Sequence, residues 1–521
     1  MSANHVKVLL LSVPFFLMTL DLTNAQNVND PMSFSNQSLL FGNHGFASDP
    51  VSGIMPGTAY GSGFGAFLDN PASIALIGND FGEFSFVHNR INERSSFLGN
   101  ESSLNDNQTN IAGGGFIYNF PTQRGRFVIG AGYTQHTSFN RTVSFNSWNN
   151  NSTITDQFKL PGSTYNEAAF ETYATDLGEE SDDSVDWDES IFRVGFNQPG
   201  DFLGIRQQGE FFQTGHSGEY SAFFATEIME NLMFGASVGV LAGRYGYDRI
   251  IQEIDDPNNY NSDFIDSSGD GIGDTDIDNI LFSEEINNRF YGFRGRAGLL
   301  YQITPSFNVG VSYTLPSRIN MDEDFNGRII STFNNGVRFE DSERGRFTHS
   351  ASYPARTAVG VAIDDLNGFS LSASAEYVNY SNMRINFEED ELFEDQQIEN
   401  EFISQNFADD AISFRTGLAY KFNPLFTLRA GYGYAPSMFK DGNDSRDIFS
   451  VGAGFALTRD AVFEIGARYT TWKEDSALYT YGDLDYNALP ESAPPFSINS
   501  EDITRNAGLL QVMATIRFRM N

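Results

Sequence analysis

The sequence predicts an all-β fold: a 14-stranded antiparallel transmembrane β-barrel with an N-terminal plug (hatch) in its lumen. Three observations predict it. The chain starts with an export signal, it carries repeated runs in which apolar and polar residues alternate, and the connections between those runs switch between short and long. Composition agrees. Aromatic residues make up 14%, with 49 Phe, 22 Tyr and 49 Gly, yet mean hydropathy is -0.32. No internal run reaches the roughly 18 apolar residues that a membrane helix needs. A barrel accommodates both facts, because every second residue of a strand can face water.

At the N-terminus, Lys7 precedes an apolar run from Val8 to Leu20, and Leu22-Thr23-Asn24-Ala25-Gln26 follows. This reads as a secretory signal peptide over residues 1–25, cut after Ala25. Its loss removes Lys7 and Asp21 together, so the mature chain keeps the net charge of -36. So acidic a surface argues against nucleic acid as a partner and against bare anionic headgroups. There are no cysteines, which excludes disulfides, thiolate metal sites and a cysteine nucleophile. Stability has to come from closed strand pairing.

Residues 26–80 do not alternate and are expected to form the plug. Residues 42–66 are thick with Gly, Ala and Ser, and Asn70-Pro71-Ala72 follows. Small residues let backbone pack closely in a confined space, and Asn-Pro fixes a turn. The accompanying Phe64, Phe67, Leu68, Ile74, Leu76 and Ile77 are apolar side chains that a flexible periplasmic linker has no reason to carry.

Residues 81–521 are expected to be the barrel. In 306–315, Phe307, Val309, Val311, Tyr313 and Leu315 share one face, and Ser306, Asn308, Gly310, Ser312 and Thr314 the other. Strands are expected at 81–92, 110–120, 125–146, 219–229, 232–251, 288–303, 306–322, 354–364, 369–388, 410–422, 425–437, 447–458, 461–474 and 507–519. Six connections are short, among them Glu230-Asn231, Thr304-Pro305 and Asn423-Pro424, and the other seven are longer. That alternation gives short periplasmic turns, long outer loops and both termini in the periplasm of a bacterial outer membrane.

The long connections carry much of the negative charge. Residues 147–218 hold thirteen Asp or Glu against Lys159, Arg193 and Arg206, and 389–409 hold eight acids with no Lys or Arg. The plain reading is a set of solvated loops. Bridging by divalent cations to outer-leaflet phosphates is the sharper one. Asp266 to Asp278 resembles Asp-rich calcium loops, with Asp266, Asp270, Asp274 and Asp276 spaced around Gly269 and Gly271. It lacks an acid at Ser268 and departs from EF-hand spacing, so an ordinary acidic loop and a Ca2+ site both stand at this point. His136-Thr137-Ser138 resembles the His-x-Ser arrangement of outer-membrane phospholipase. Strand parity set by Phe127, Ile129, Ala131 and Tyr133 sends His136 and Ser138 into the lumen, away from lipid substrate, and no enzyme activity is expected.

Several stretches together resemble the long-chain fatty-acid and aromatic-hydrocarbon outer-membrane transporter family (FadL-type, OMPP1/FadL/TodX-like). They are the Gly-rich lead into Asn70-Pro71-Ala72, residues 298–313 from Gly298-Leu299-Leu300-Tyr301 to Gly310-Val311-Ser312-Tyr313, Tyr353-Pro354-Ala355, and Gly417 to Pro424 followed by Leu428-Arg429-Ala430-Gly431-Tyr432. The resemblance implies a fourteen-strand barrel, passive uptake of hydrophobic molecules, a plug role for Asn70, Pro71 and Ala72, and exit of cargo through a gap in the wall near the third strand. It departs from the family in its long acidic loop at 147–218 and in its ending, Phe518-Arg519-Met520-Asn521. Expected partners are hydrophobic cargo and outer-membrane lipid, with the protein acting as a monomer. The alternative on the same fold is a non-enzymatic secretion or surface-assembly component.

Overall fold

The computed structural model describes residues 33–42, 49–61, 63–159, 165–177, 188–192, 202–261, 263, 265–388, 392–479 and 501–520. The expected signal peptide lies outside them. Fourteen wall strands run antiparallel. They are β1 (Phe81–Phe97), β2 (Asn100–Phe120), β3 (Phe127–Ser138, resuming as Arg141–Asn149), β4 (Ile205–Met229), β5 (Leu232–Ile254), β6 (Ile277–Thr304) and β7 (Phe307–Thr314, then Ser317–Phe333). After them come β8 (Arg338–Tyr353, then Arg356–Leu366), β9 (Phe369–Val378, then Arg384–Phe387), β10 (Ala411–Asn423), β11 (Phe426–Ala435), β12 (Arg446–Ala456), β13 (Ala461–Ala477) and β14 (Asp502–Arg519). The seam closes between β1 and β14, from Phe81↔Arg519 to Phe97↔Ile503, and the Met520 amide donates to Asp80. Joining the last strand to the first closes the sheet into a barrel, the form in which a sheet crosses a bilayer.

Exposure follows the expected parity. On β6, Tyr291, Phe293, Leu299, Tyr301 and Ile303 are exposed, whereas Arg294, Arg296 and Leu300 between them are buried. From Tyr291 to Ile303, at about 3.3 Å per residue and a tilt of about 40°, the apolar face is roughly 30 Å tall, enough for a hydrocarbon core. Among the described residues no helix is long and apolar enough to cross a membrane.

The strands outrun the expected boundaries at the outer end. Two outer connections expected to be long loops are long hairpins instead. Leu98 and Gly99, both at positive φ (47° and 82°), make a two-residue turn between β1 and β2, the backbone that matches strand twist in tight hairpins. Only Asn334 to Val337 separate β7 from β8. The 147–218 connection also differs from a purely solvated loop. Its 3-10 turn Ile154–Phe158 and helix α4 (Asn166–Glu171) pack Ile154, Phe158, Tyr165, Ala168 and Ala169 into a buried apolar core. Lys159 is buried there too, with Asp156 at 2.6 Å.

Candidate functional site

The plug fills the lumen through four short elements: α1 (Phe34–Gly42), α2 (Pro50–Ile54), α3 (Ala66–Asp69) and a 3-10 turn (Pro71–Leu76). The structure places Asn70, Pro71 and Ala72 together, buried, at the start of that turn. Asn70 Oδ1 accepts from the Ala72 amide at 2.9 Å, and Nδ2 donates to Thr58 O at 2.7 Å and to Leu299 O of β6 at 3.1 Å. One amide therefore caps the turn, folds the plug on itself and ties it to the wall. Pro71 at the first helical position costs no hydrogen bond. Asp49 caps α2 in the same manner and also accepts from the Gly65 amide at 2.9 Å.

The wall is cut away where the plug rests. A methyl group at Gly298 would overlap Asn70 Oδ1, one at Gly235 would overlap the Pro71–Ala72 backbone, and one at Gly417 would overlap Ile54 O. Beneath, Phe64, Phe67, Leu68, Ile74 and Ile77 pack against Phe81, Ile117, Phe223 and Leu300 of the wall, with the Phe67 and Phe223 rings stacked at 4.3 Å. Higher up, Phe41 of α1 stacks on Phe290 at 4.2 Å and touches Phe139 and Tyr245. Ser35 donates to Glu399 of helix α5 (Phe393–Asn406) at 2.5 Å.

Between plug and outer elements lies a chamber of about 280 Å³. Leu40, Leu68, Ile91, Phe139, Met438 and Leu509 give it apolar surface, while Arg356, Arg415, Arg446 and Arg468 bring positive charge. Arg415 pairs with Asp69 of the plug, and Arg356 lies 3.4 Å from Glu376. Arg446 stands over the Trp472 ring at 5.1 Å, with no carboxylate at ion-pair distance among the described residues. Sequence reasoning missed these arginines. The available signal was parity: Arg415 shares the inward face with Gly417 and Ala419, opposite the exposed Phe414 and Leu418.

The chamber reaches the wall at its weakest seam. Pairing of β2 with β3 stops at Gly113↔Thr134, although β1 holds β2 as far as Asn100. On its other side β3 bulges at His136 in its pairing with β4, breaks at Phe139 and Asn140, and resumes at Arg141. Where the ladder has ended, Ser138 Oγ donates to Gln108 Oε1 at 2.8 Å, a side-chain bond spanning the gap. His136 Nε2 instead meets Glu219 at 3.0 Å, a carboxylate also gripped by the two terminal nitrogens of Arg296 at 2.7 and 2.8 Å. His136 and Ser138 thus have separate partners.

The acidic segment folds on its own backbone. Asp266 accepts from the amides of Gly269, Asp270 and Gly271, with the Gly271 amide the leading cause holding its carboxyl below the usual range. Asp270 accepts from Ile272, Asp274 accepts from Ser267, and Asp276 is turned to Asn334 at 2.6 Å. Among the described residues no three His, Asp or Glu side chains gather in a metal-ligand group.

Comparison with known proteins adds the family. A search of curated sequences returns no match. Among solved structures, the TodX toluene transporter of Pseudomonas putida is 13% identical with a TM-score of 0.50, covering 92% of this chain and 99% of that one. The TbuX toluene transporter of Ralstonia pickettii is 16% identical with a TM-score of 0.49, covering 92% and 100%. A FadL homologue from Pseudomonas aeruginosa is 13% identical with a TM-score of 0.49, covering 92% and 98%. At such identities the likeness concerns the fold alone. The family model described as outer membrane protein transport protein (OMPP1/FadL/TodX) matches residues 224–517, more than half of the sequence, and with its closed barrel the chain belongs to that outer-membrane transport family.

Proposed function

We propose that this protein is a passive channel carrying hydrophobic small molecules across the outer membrane as a monomer, and that amphiphiles with an anionic head, such as long-chain fatty acids, suit it better than neutral aromatic hydrocarbons. The observation that carries this reading is the chamber running from the plug to the β2–β3 gap, lined by Leu40, Leu68, Phe139 and Leu509 together with Arg446. A greasy solute gains free energy on leaving water for the bilayer core, and an opening in the wall delivers it there without passage through the periplasm. Arg446 offers a charge-assisted hydrogen bond that an arene cannot use. The plug residues Asn70, Pro71 and Ala72 are read as the seat of the gate. No catalytic role is assigned, because Ser138 is bonded to Gln108 and the nearby His136 to Glu219, leaving the serine without a base.

Calorimetry on the purified barrel with palmitate, hexadecanol and toluene, beside uptake into proteoliposomes, tests this. Palmitate should bind about tenfold tighter than hexadecanol, and Arg446→Gln should remove the difference. Equal binding of acid and alcohol would overturn the preference for an anionic head. Uptake no faster than in empty liposomes would overturn the channel.

A further inference from the structure

The outer wall carries a positive patch that contradicts the acidity of the whole chain. Arg244 of β5 and Arg289 of β6 are both exposed and stand directly opposite each other in the β5–β6 ladder. Like charges in that position destabilise a sheet. Arg318 is exposed on the next strand, β7. None of the three has a carboxylate at ion-pair distance among the described residues, in a sequence with 68 acids and 32 Lys plus Arg. His216 of β4 is opposite Arg244, and Asp322 is opposite Arg289, where it offsets part of that charge without reaching ion-pair distance and accepts from Thr348 Oγ1 at 3.2 Å. Farther out, by contrast, arginines do have acidic partners: Arg346 with Asp324 at 3.7 Å, and Arg328 and Arg338 with Glu340.

Height explains the difference. Arg289 follows Phe293 and Tyr291 on the outward face of β6, Arg244 follows Val240 and Ala242 on β5, and Arg318 follows Leu315 on β7. Arg244 and Arg289 therefore sit at the upper rim of the apolar band, the level of outer-leaflet headgroups, while Arg318, next to the Ile319↔Gly292 pair, lies level with Phe293 inside the band. Guanidinium groups bind phosphate oxygens through paired, charge-assisted hydrogen bonds, and their apolar stems can lie along Tyr291 and Leu315.

The geometry points to a binding site on the outer face of β5, β6 and β7 for the phosphate of an outer-leaflet glycolipid, held between Arg244 and Arg289 with Arg318 on the membrane side. The bound phosphate relieves the repulsion across the β5–β6 ladder. Net charge of -36 would keep such headgroups away from the protein at long range, but screening confines that effect to about 8 Å at physiological salt, and local contacts then decide.

The test uses the full mature protein in detergent with bis-phosphorylated lipid A, the same lipid dephosphorylated, and inorganic phosphate. Binding is read by native mass spectrometry, and barrel integrity by heat-modifiable gel migration. Wild type should retain the phosphorylated lipid, and Arg244→Gln/Arg289→Gln should bind it at least about tenfold more weakly. Arg346→Gln, an arginine already paired with Asp324, should bind as wild type does. The double variant should also be more heat-stable than wild type without lipid and should lose any stabilisation on adding it. Equal retention by wild type and the double variant, indifference to dephosphorylation, or inorganic phosphate binding as tightly as the lipid would each overturn the proposal.

Discussion

Asn70 concentrates the seating of the plug in one side chain, since it bonds Ala72, Thr58 and Leu299 at once. Asn70→Ala strips the cap and leaves the buried Thr58 carbonyl and the half-buried Leu299 carbonyl without that donor, a cost of about 2–4 kcal/mol to the seated plug. Single-channel conductance in planar bilayers should rise in the alanine variant. It should rise less in Asn70→Asp, which keeps the cap but loses the donor; conductance unchanged in both would remove Asn70 from the gate. Calcium binding is also tested at this scale. If Asp266, Asp270, Asp274 and Asp276 hold Ca2+, chelator should speed proteolysis within 266–278 and Asp270→Ala should abolish the effect, whereas a plain acidic turn responds to neither. Acid acts on the turn in either case. The Asp266 pKa is depressed below 3.8, so its contribution is complete above that value and is lost as pH falls through the lower, folded pKa. Proteolysis by an acid protease should accelerate only in that range.

Among the elements, strand number and facing were legible because a lipid face forces period-two alternation, as on β6. The outer extensions were not legible. Asn100 to Asn110 of β2 contain one apolar side chain before Asn110, Leu104, so no alternation of hydrophobicity marks them, and they are strand because β1 pairs with them along their length. Helix α1 hid for a related reason: its buried Ser35 and Gln37 are satisfied by Glu399 and Asn288, partners far away in sequence. The glycines that seat the plug were visible as Gly298, Gly310 and Gly417, but only the packed structure says what approaches them. The gap between β2 and β3 yields the prediction at this level. In this cysteine-free chain, Gln108→Cys with Ser138→Cys can be bridged by a short bis-maleimide. Bridging should stop uptake of hydrophobic solute while either single variant treated alike keeps transporting; uptake surviving the bridge would place the exit elsewhere.

For the whole molecule, the plug and wall are separable in sequence but packed together in space. Deleting 42–72 removes no wall strand, so the barrel should still assemble and resist heat on gels. The outer membrane should then leak small polar solutes, because fourteen strands enclose more than their own side chains fill. Saturable uptake of hydrophobic solute should fall as well, and an assembled variant with normal leakiness and normal uptake would sink the gating role.

The seam between β1 and β14 has one more consequence, which concerns how the molecule is made. Phe81 meets Arg519, so this contact closes almost the longest possible loop of the chain and is entropically the most expensive ladder to form. The other wall ladders join segments closer in sequence and can form first. The plug is tethered directly to β1 and rests on Gly298 and Gly235 of strands midway round the wall, so the last ladder to close is also the one that shuts the cylinder around it.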